Sequence, residues 1–189
     1  MTKDIIKLSA TLLGLTDVID QIKEPTNNTA KETSDKIEDL ILFTNFVVRE
    51  ITKNYLPLSH TENIYSNENC EIPFINFSKT PIAIKSIKNQ SYQPVTFNLY
   101  PSFVKVGFPN QQYQITYNYI PNKIETIEQK LDLPFGLGYE TVSYGVASEY
   151  ALSRLLYDEA DMWEGKFKNS LENIKSKHGE RRFYSRRLS

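Results

Sequence analysis

The segment VSYGVASEYALSRLLYDEADMWEGKF, residues 142–167, sets five carboxylates, Glu149, Asp158, Glu159, Asp161 and Glu164, among tyrosines, leucines and the only tryptophan of the chain. Such a density of acids could do two kinds of chemistry. Converging oxygens hold a hard cation, and a pair in unlike surroundings divides into general acid and general base. Both require convergence. At 100° per residue, Ala160, Trp163, Phe167, Leu171 and Ile174 form one apolar stripe. Asp158, Asp161 and Glu172 point away from that stripe, with Glu164 on one flank and Glu159 on the other. These acids read as a solvated helix face, and Glu164 stands four before Lys168, the order that favours a surface ion pair. Glu149 differs, because Val142, Gly145, Val146, Leu152 and Leu156 surround it on the wheel. Its carboxylate needs a partner, read as an arginine of another element or of a neighbouring subunit.

Other chemistry-bearing residues are sparse. GLGYET, residues 136–141, carries half of a dinucleotide fingerprint, but no strand–helix–strand unit surrounds it, so it reads as a loop that opens a helix. The two histidines, His60 and His178, fall in a polar loop after Pro57 and at the end of the last helix, away from any serine elbow. Cys70 is the single cysteine, which excludes an internal disulfide and a thiolate zinc site and makes a reducing compartment the default. No catalytic residue, cofactor or metal is expected.

The elements that position these residues follow from periodicity. Ile5, Leu8, Leu12, Leu15, Ile19 and Ile22 share one face of a helix over 3–23. A polar link, EPTNNTAKET, precedes a second helix that Ser34 or Asp35 caps, with Glu38 in capping-box register. Ile37, Leu40, Ile41, Thr44, Val47, Val48 and Ile51 form its buried face, and it ends near Tyr55, before Pro57. From about 71 the period becomes two, and EIPFINF, IAIKSIK, PVTFNLY, FVKVGF and YQITYNY read as five antiparallel strands. Residues 103–108 and 113–119 are predicted to form a hairpin turning at Pro109-Asn110. A helical run over 138–177 follows, with a break near Tyr157-Asp158, Asp158 capping the second part and Gly179 closing it. The class is α+β: N-terminal helices, a small antiparallel sheet, then a long helix or helix pair with a basic tail. Three regions result: a helix and linker over 1–33, a core over 34–178 with its β insertion at 71–120, and a tail over 179–189.

Lysines and arginines number 22 against 23 acids, which argues against simple DNA binding. No stretch is long and apolar enough to span a membrane. The first half of the 138–177 run is apolar almost all round, so a second copy of the chain is the expected cover for its outer side. The tail, HGERRFYSRRLS, places Arg181, Arg182, Phe183, Tyr184, Arg186 and Arg187 together, whereas residues 1–70 are acid-rich. Arginine and aromatic residues are enriched in interfaces, so the tail reads as a docking segment. Opposite charge at the two ends suits head-to-tail contacts between copies.

The layout resembles the head-to-tail connector, or neck adaptor, proteins of tailed bacteriophages. The resemblance covers roughly 35–189 and rests on Leu133-Pro134, Tyr144, Ala147, Glu149-Tyr150, Leu152, Glu159-Ala160, Trp163, Phe167 and Leu171. These are packing positions and carry no chemistry. The resemblance implies a non-enzymatic structural protein of the virion, made in the cytoplasm of a bacterial host. Its subunits would form a ring, commonly a dodecamer, under the portal protein and around the channel through which DNA passes, with tail or second neck-ring proteins below. The helix at 3–23 departs from the compact members and would embrace an adjacent subunit. A second reading, from another class, is a ligand-binding module that uses an aromatic sheet face of Phe103, Tyr113, Tyr117 and Tyr119.

Overall fold

A computed structural model describes residues 1–25 and 30–178 of the 189. In chain order the elements are α1 (Thr2–Leu12), α2 (Thr16–Lys23), α3 (Lys31–Glu50), β1 (Leu58–Tyr65), β2 (Glu71–Pro73), β3 (Pro81–Lys88), β4 (Asn98–Leu99), β5 (Phe103–Lys105), β6 (Gln112–Tyr119), α4 (Tyr139–Ser153) and α5 (Tyr157–His178). The class is α+β, as the periodicities require. Two compact units are present: one of helices, from Lys3–Thr44 and 136–178, and one of sheets, from Met1–Thr2 and Asn45–Phe135.

In the helical unit α4 is the spine. Val142, Ser143, Val146, Ala147 and Ala151 are all buried on it, and its small residues let neighbours approach closely. Ser143 Oγ donates to the Ile5 carbonyl of α1 at 3.3 Å, and Ser148 Oγ donates to the Ala160 carbonyl of α5 at 2.9 Å. Tyr144 stacks nearly parallel on Trp163, with centroids 6.0 Å apart. Phe43 of α3 meets Tyr150 edge-on at 6.3 Å. The all-round apolar character of this helix is thus met by α1, α3 and α5 of the same chain, where a second copy was expected. Helix α1 buries Ile5, Ile6 and Ala10 completely, with the Ile5 carbonyl against Ser143 of α4.

The expected single helix over 3–23 is two helices. Gly14 takes φ +66°, Gly14 N–H donates to the Thr11 carbonyl and Leu15 N–H to the Ala10 carbonyl at 2.9 Å, which is the Schellman closure of a helix end. Apolar spacing survives the break, so periodicity alone hides it. A second Schellman closure ends α4: Leu155 N–H donates to Leu152 and Leu156 N–H to Ala151, each at 3.0 Å. The expected break falls at 154–156, and Asp158 is not the cap. It lies with Glu159 in the first turn of α5, where carboxylates favour the helix dipole. Helix α3 begins at Lys31, ahead of Ser34 and Asp35: Ser34 N–H already donates to the Ala30 carbonyl at 3.1 Å, and Thr33 Oγ1 and Lys36 Nζ bind Asp17 of α2 at 2.9 and 3.1 Å. A π-helical turn over Ile51–Tyr55 ends it before Pro57.

The sheet unit holds two three-stranded antiparallel sheets, ordered β1-β6-β3 and β2-β5-β4. Strand β6 alternates buried and half-buried residues along its whole length. Tyr113, Ile115, Tyr117 and Tyr119 enter a core with Ile64, Ile72, Phe77, Ile87, Val104 and Val106. The predicted hairpin of 103–108 with 113–119 does not form. Both edges of β6 are occupied, by β1 and β3, so β5 pairs instead with β2 and β4 in the other sheet. Strand β1 supplies the unforeseen partner, and its polar sequence LSHTENIY shows only weak apolar alternation. His60 therefore lies on a strand, half-buried, with its ring edge-on to Tyr117 at 5.8 Å.

Candidate assembly surface

The five acids of 142–167 do not converge. Asp158, Glu159 and Asp161 are exposed, while Ala160, Trp163, Phe167 and Leu171 carry the buried stripe and Ile174 is half-buried. Glu164 pairs with Lys168 at 2.8 Å. Glu149 is half-buried on α4 and is engaged rather than free. Among the described residues no group of three or more His, Cys, Asp and Glu could hold a metal ion. GLGYET opens α4, with Gly136 at φ +80° and Gly138 at the N-cap. The side chain of His178, together with Gly179, Arg181, Arg182, Phe183, Tyr184, Arg186 and Arg187, lies outside the described residues.

What the helical unit exposes is apolar. At the α4–α5 elbow Leu152, Leu155, Leu156 and Tyr157 are all exposed, Leu155 at 68%. Leu155 occupies the left-handed position of the Schellman closure, φ +60°, where glycine is the usual residue because a Cβ is strained there. A leucine so placed gains little burial in its own unit. Beside the elbow runs a groove of about 440 Å³ with Leu13, Leu15, Tyr150 and Leu156 on its apolar walls and Glu32, Asp35 and Glu159 among its polar ones. Its two cations are already engaged. Lys36 binds Glu32 at 2.8 Å and Asp17 at 3.1 Å, and these hydrogen bonds, that to Glu32 foremost, raise its pKa. Arg154 binds Asp39 at 3.0 Å. Asp35 and Glu159 make no ion pair among the described residues. The groove therefore offers apolar walls with unneutralised negative charge.

The sheet unit contains the other concentration of polar groups. Tyr117 Oη donates to Glu62 Oε1 in a short hydrogen bond, and Ser78 N–H donates to the same carboxylate at 3.1 Å. Burial works to raise the Glu62 pKa, but the bonds from Tyr117 and Ser78 outweigh it and the net shift is downward. Burial and the adjacent carboxylate both push Tyr117 up. Lys79 Nζ lies 2.7 Å from Asp132 Oδ2 and 4.3 Å from the centre of the Tyr119 ring, and its hydrogen bond lowers Asp132. These groups satisfy one another. Of the expected aromatic ligand face, Tyr113, Tyr117 and Tyr119 are buried in the core, while Phe103 is half-buried and stacks on the exposed Tyr100 at 4.7 Å.

Sequence reasoning placed the acids of 158–164 correctly and missed the elbow. The signal was present: SRLLYD, residues 153–158, sets three consecutive apolar residues at a helix break with no glycine to make the turn. Among the described residues no helix is long and apolar enough to cross a membrane. Neither a protein-family model nor a curated protein sequence matches the chain.

Proposed function

We propose that the chain is a non-enzymatic structural protein of a tailed-bacteriophage virion, a head-to-tail connector whose copies form a ring under the portal protein. The observation that carries this reading is Leu155, a highly exposed leucine held in a backbone conformation that disfavours it. Strain kept at an exposed apolar residue is the pattern of a surface that meets a partner. The elbow and its acidic groove suit a basic, aromatic segment, and the chain carries one in RRFYSRR, residues 181–187. Support also comes from the connector-like positions: Tyr144 of α4 stacks on Trp163 of α5, and Ala147, Tyr150, Phe167 and Leu171 are buried on the same two helices, as subunits built around a helix pair need. A dodecamer, contact with tail or second neck-ring proteins, and DNA passing through the channel without sequence-specific binding complete the proposal.

Light scattering and negative-stain imaging of the full chain, alone and with portal protein, test it. Rings, or a stoichiometric complex with portal, are expected for the intact chain. Their loss is expected on truncation after Gly179 and in Leu155→Asp. A full-length chain that stays monomeric at high concentration and in the presence of portal overturns the proposal.

A further inference from the structure

The outer face of the β1-β6-β3 sheet carries uncharged polar side chains on β1 and β6, bordered by two lysines of β3: Lys85 Nζ donates to Ser59 Oγ at 2.9 Å, and Lys88 stands opposite Gln114. Ser59, Thr61 and Asn63 of β1 stand opposite Asn118, Thr116 and Gln114 of β6. At one end these groups satisfy each other: Ser59 Oγ donates to Asn118 Oδ1 at 3.0 Å, and the Thr61 and Thr116 hydroxyls lie 3.0 Å apart. At the other end they do not. Asn63, Asn89, Gln90, Gln112 and Gln114 line a cleft of about 360 Å³, with Tyr92 as its sixth residue. Among the described residues the carboxamides of Asn63, Gln90, Gln112 and Gln114 make no hydrogen bond within the chain. No acid, base or aliphatic side chain lines the cleft.

Tyr92 is placed there at a cost. It is 70% exposed with φ +58°, a conformation that turns ordinarily give to glycine or asparagine. Its loop is fixed nonetheless. Asn89 Oδ1 accepts from the N–H groups of Ser91 and Gln93 at 3.0 and 2.9 Å, Tyr92 N–H donates to the Asn89 carbonyl, and Val95 N–H donates to the Ile87 carbonyl below. A second exposed ring, Tyr65, stands opposite Gln112 in the strand register.

We propose that this cleft binds an uncharged saccharide of one or two rings. A carboxamide presents donor and acceptor together, which matches a hydroxyl or an acetamido group that does the same. The negative face of a tyrosine ring accepts the polarised C–H face of a pyranose. The volume lies at the low end of the ~300–1,000 Å³ range of small-ligand clefts. An apolar ligand finds no aliphatic wall, and a nucleic-acid strand needs a phosphate footprint, towards which the cleft offers only Lys88, opposite Gln114 in the register. This proposal is independent of the assembly reading.

Saturation-transfer NMR on the full chain, with maltose, lactose and diacetylchitobiose as probes and the oligonucleotide (dT)10 as comparison, tests it. Transfer to the ring protons of at least one saccharide is expected. Tyr92→Gly, which deletes the ring and suits the left-handed backbone, should weaken binding about ten-fold, as should Gln114→Ala. Thr61→Ala, at the paired end, should leave binding unchanged, with circular dichroism showing every variant folded. Absence of transfer to all three saccharides, or transfer that persists in Tyr92→Gly, overturns the proposal. So does tighter binding of (dT)10 that Lys88→Gln abolishes, which would assign the face to nucleic acid.

Discussion

Asn45 and Ile124, 79 residues apart, are joined through both ends of one carboxamide: Asn45 Nδ2 donates to the Ile124 carbonyl at 2.8 Å, and Ile124 N–H donates to Asn45 Oδ1 at 2.9 Å. The side chain thus acts as a strand partner for a segment that has none. Ile124 is buried at 3% exposure, so its backbone groups cannot turn to water. Asn45→Ala should destabilise the sheet unit by about 2–3 kcal/mol, a fall in melting temperature of roughly 5–10 °C. Asn45→Asp should recover only part of this, because a carboxylate accepts from the N–H but offers the carbonyl no donor. Calorimetry of the two variants checks both values.

The Glu62–Tyr117 pair predicts a stability plateau bounded on both sides. Glu62 is lowered in the folded chain, so its contribution is present above the ordinary carboxylate value of ~4.3 and is lost as pH falls through the folded value. Tyr117 is raised, so its contribution is present below the ordinary phenol value of ~10 and is lost as pH rises through the folded value. Tyr117→Phe should cost about 1–3 kcal/mol at neutral pH by leaving the carboxylate without its phenol donor. Glu62→Gln should flatten the acid limb of a urea-midpoint profile. An acid limb unchanged by Glu62→Gln would show that other carboxylates control it.

Gly14 and Leu155 close their helices with the same geometry and opposite residues, which permits a reciprocal experiment. Gly14→Ala places a Cβ on a left-handed backbone and should destabilise by about 1 kcal/mol. Leu155→Gly removes that strain and should leave stability unchanged or raise it by up to about 1 kcal/mol, the gain being offset by unfolded-chain entropy. Yet Leu155→Gly should weaken self-association or portal binding. A variant that is no less stable and assembles no worse would remove the elbow from the proposed interface.

Asp35 and Glu159 supply charge to the groove and make no ion pair among the described residues. Reversing both, in Asp35→Lys with Glu159→Lys, should reduce assembly of the intact chain by about ten-fold or more at low salt, with a smaller effect near 0.5 M salt as screening grows. Sedimentation at two ionic strengths measures this. An equal effect at both salt levels would argue for steric disruption instead of lost attraction.

Helices were legible where an apolar stripe was long and one-sided, as in Ala160, Trp163, Phe167 and Leu171. Their ends were less so, because Gly14 and Leu155 interrupt the backbone without interrupting the stripe. The alternation of 113–119 announced a strand but not its partners. Adjacency in sequence favoured a hairpin with 103–108, whereas the occupied edges of β6 follow from β1, whose own residues are polar on one face and mixed on the other. The acids of 158–164 were placed correctly by the wheel, since exposure on a helix is a matter of angle. Asn45 was invisible for the opposite reason: a polar residue on a helix declares nothing about a backbone 79 positions away.

The central place of β6 also fixes an order of events. Strand β1 is made early, yet Thr61 waits for Thr116, 55 residues downstream, and β3 waits for the same strand. During synthesis neither can settle until the ribosome has released Tyr119, so the sheet closes late and nearly all at once, as pairings of high sequence separation do. Strands β1 and β3 must therefore be kept from foreign partners in the interval, and the Ser, Thr, Asn and Lys side chains along them are well suited to that wait.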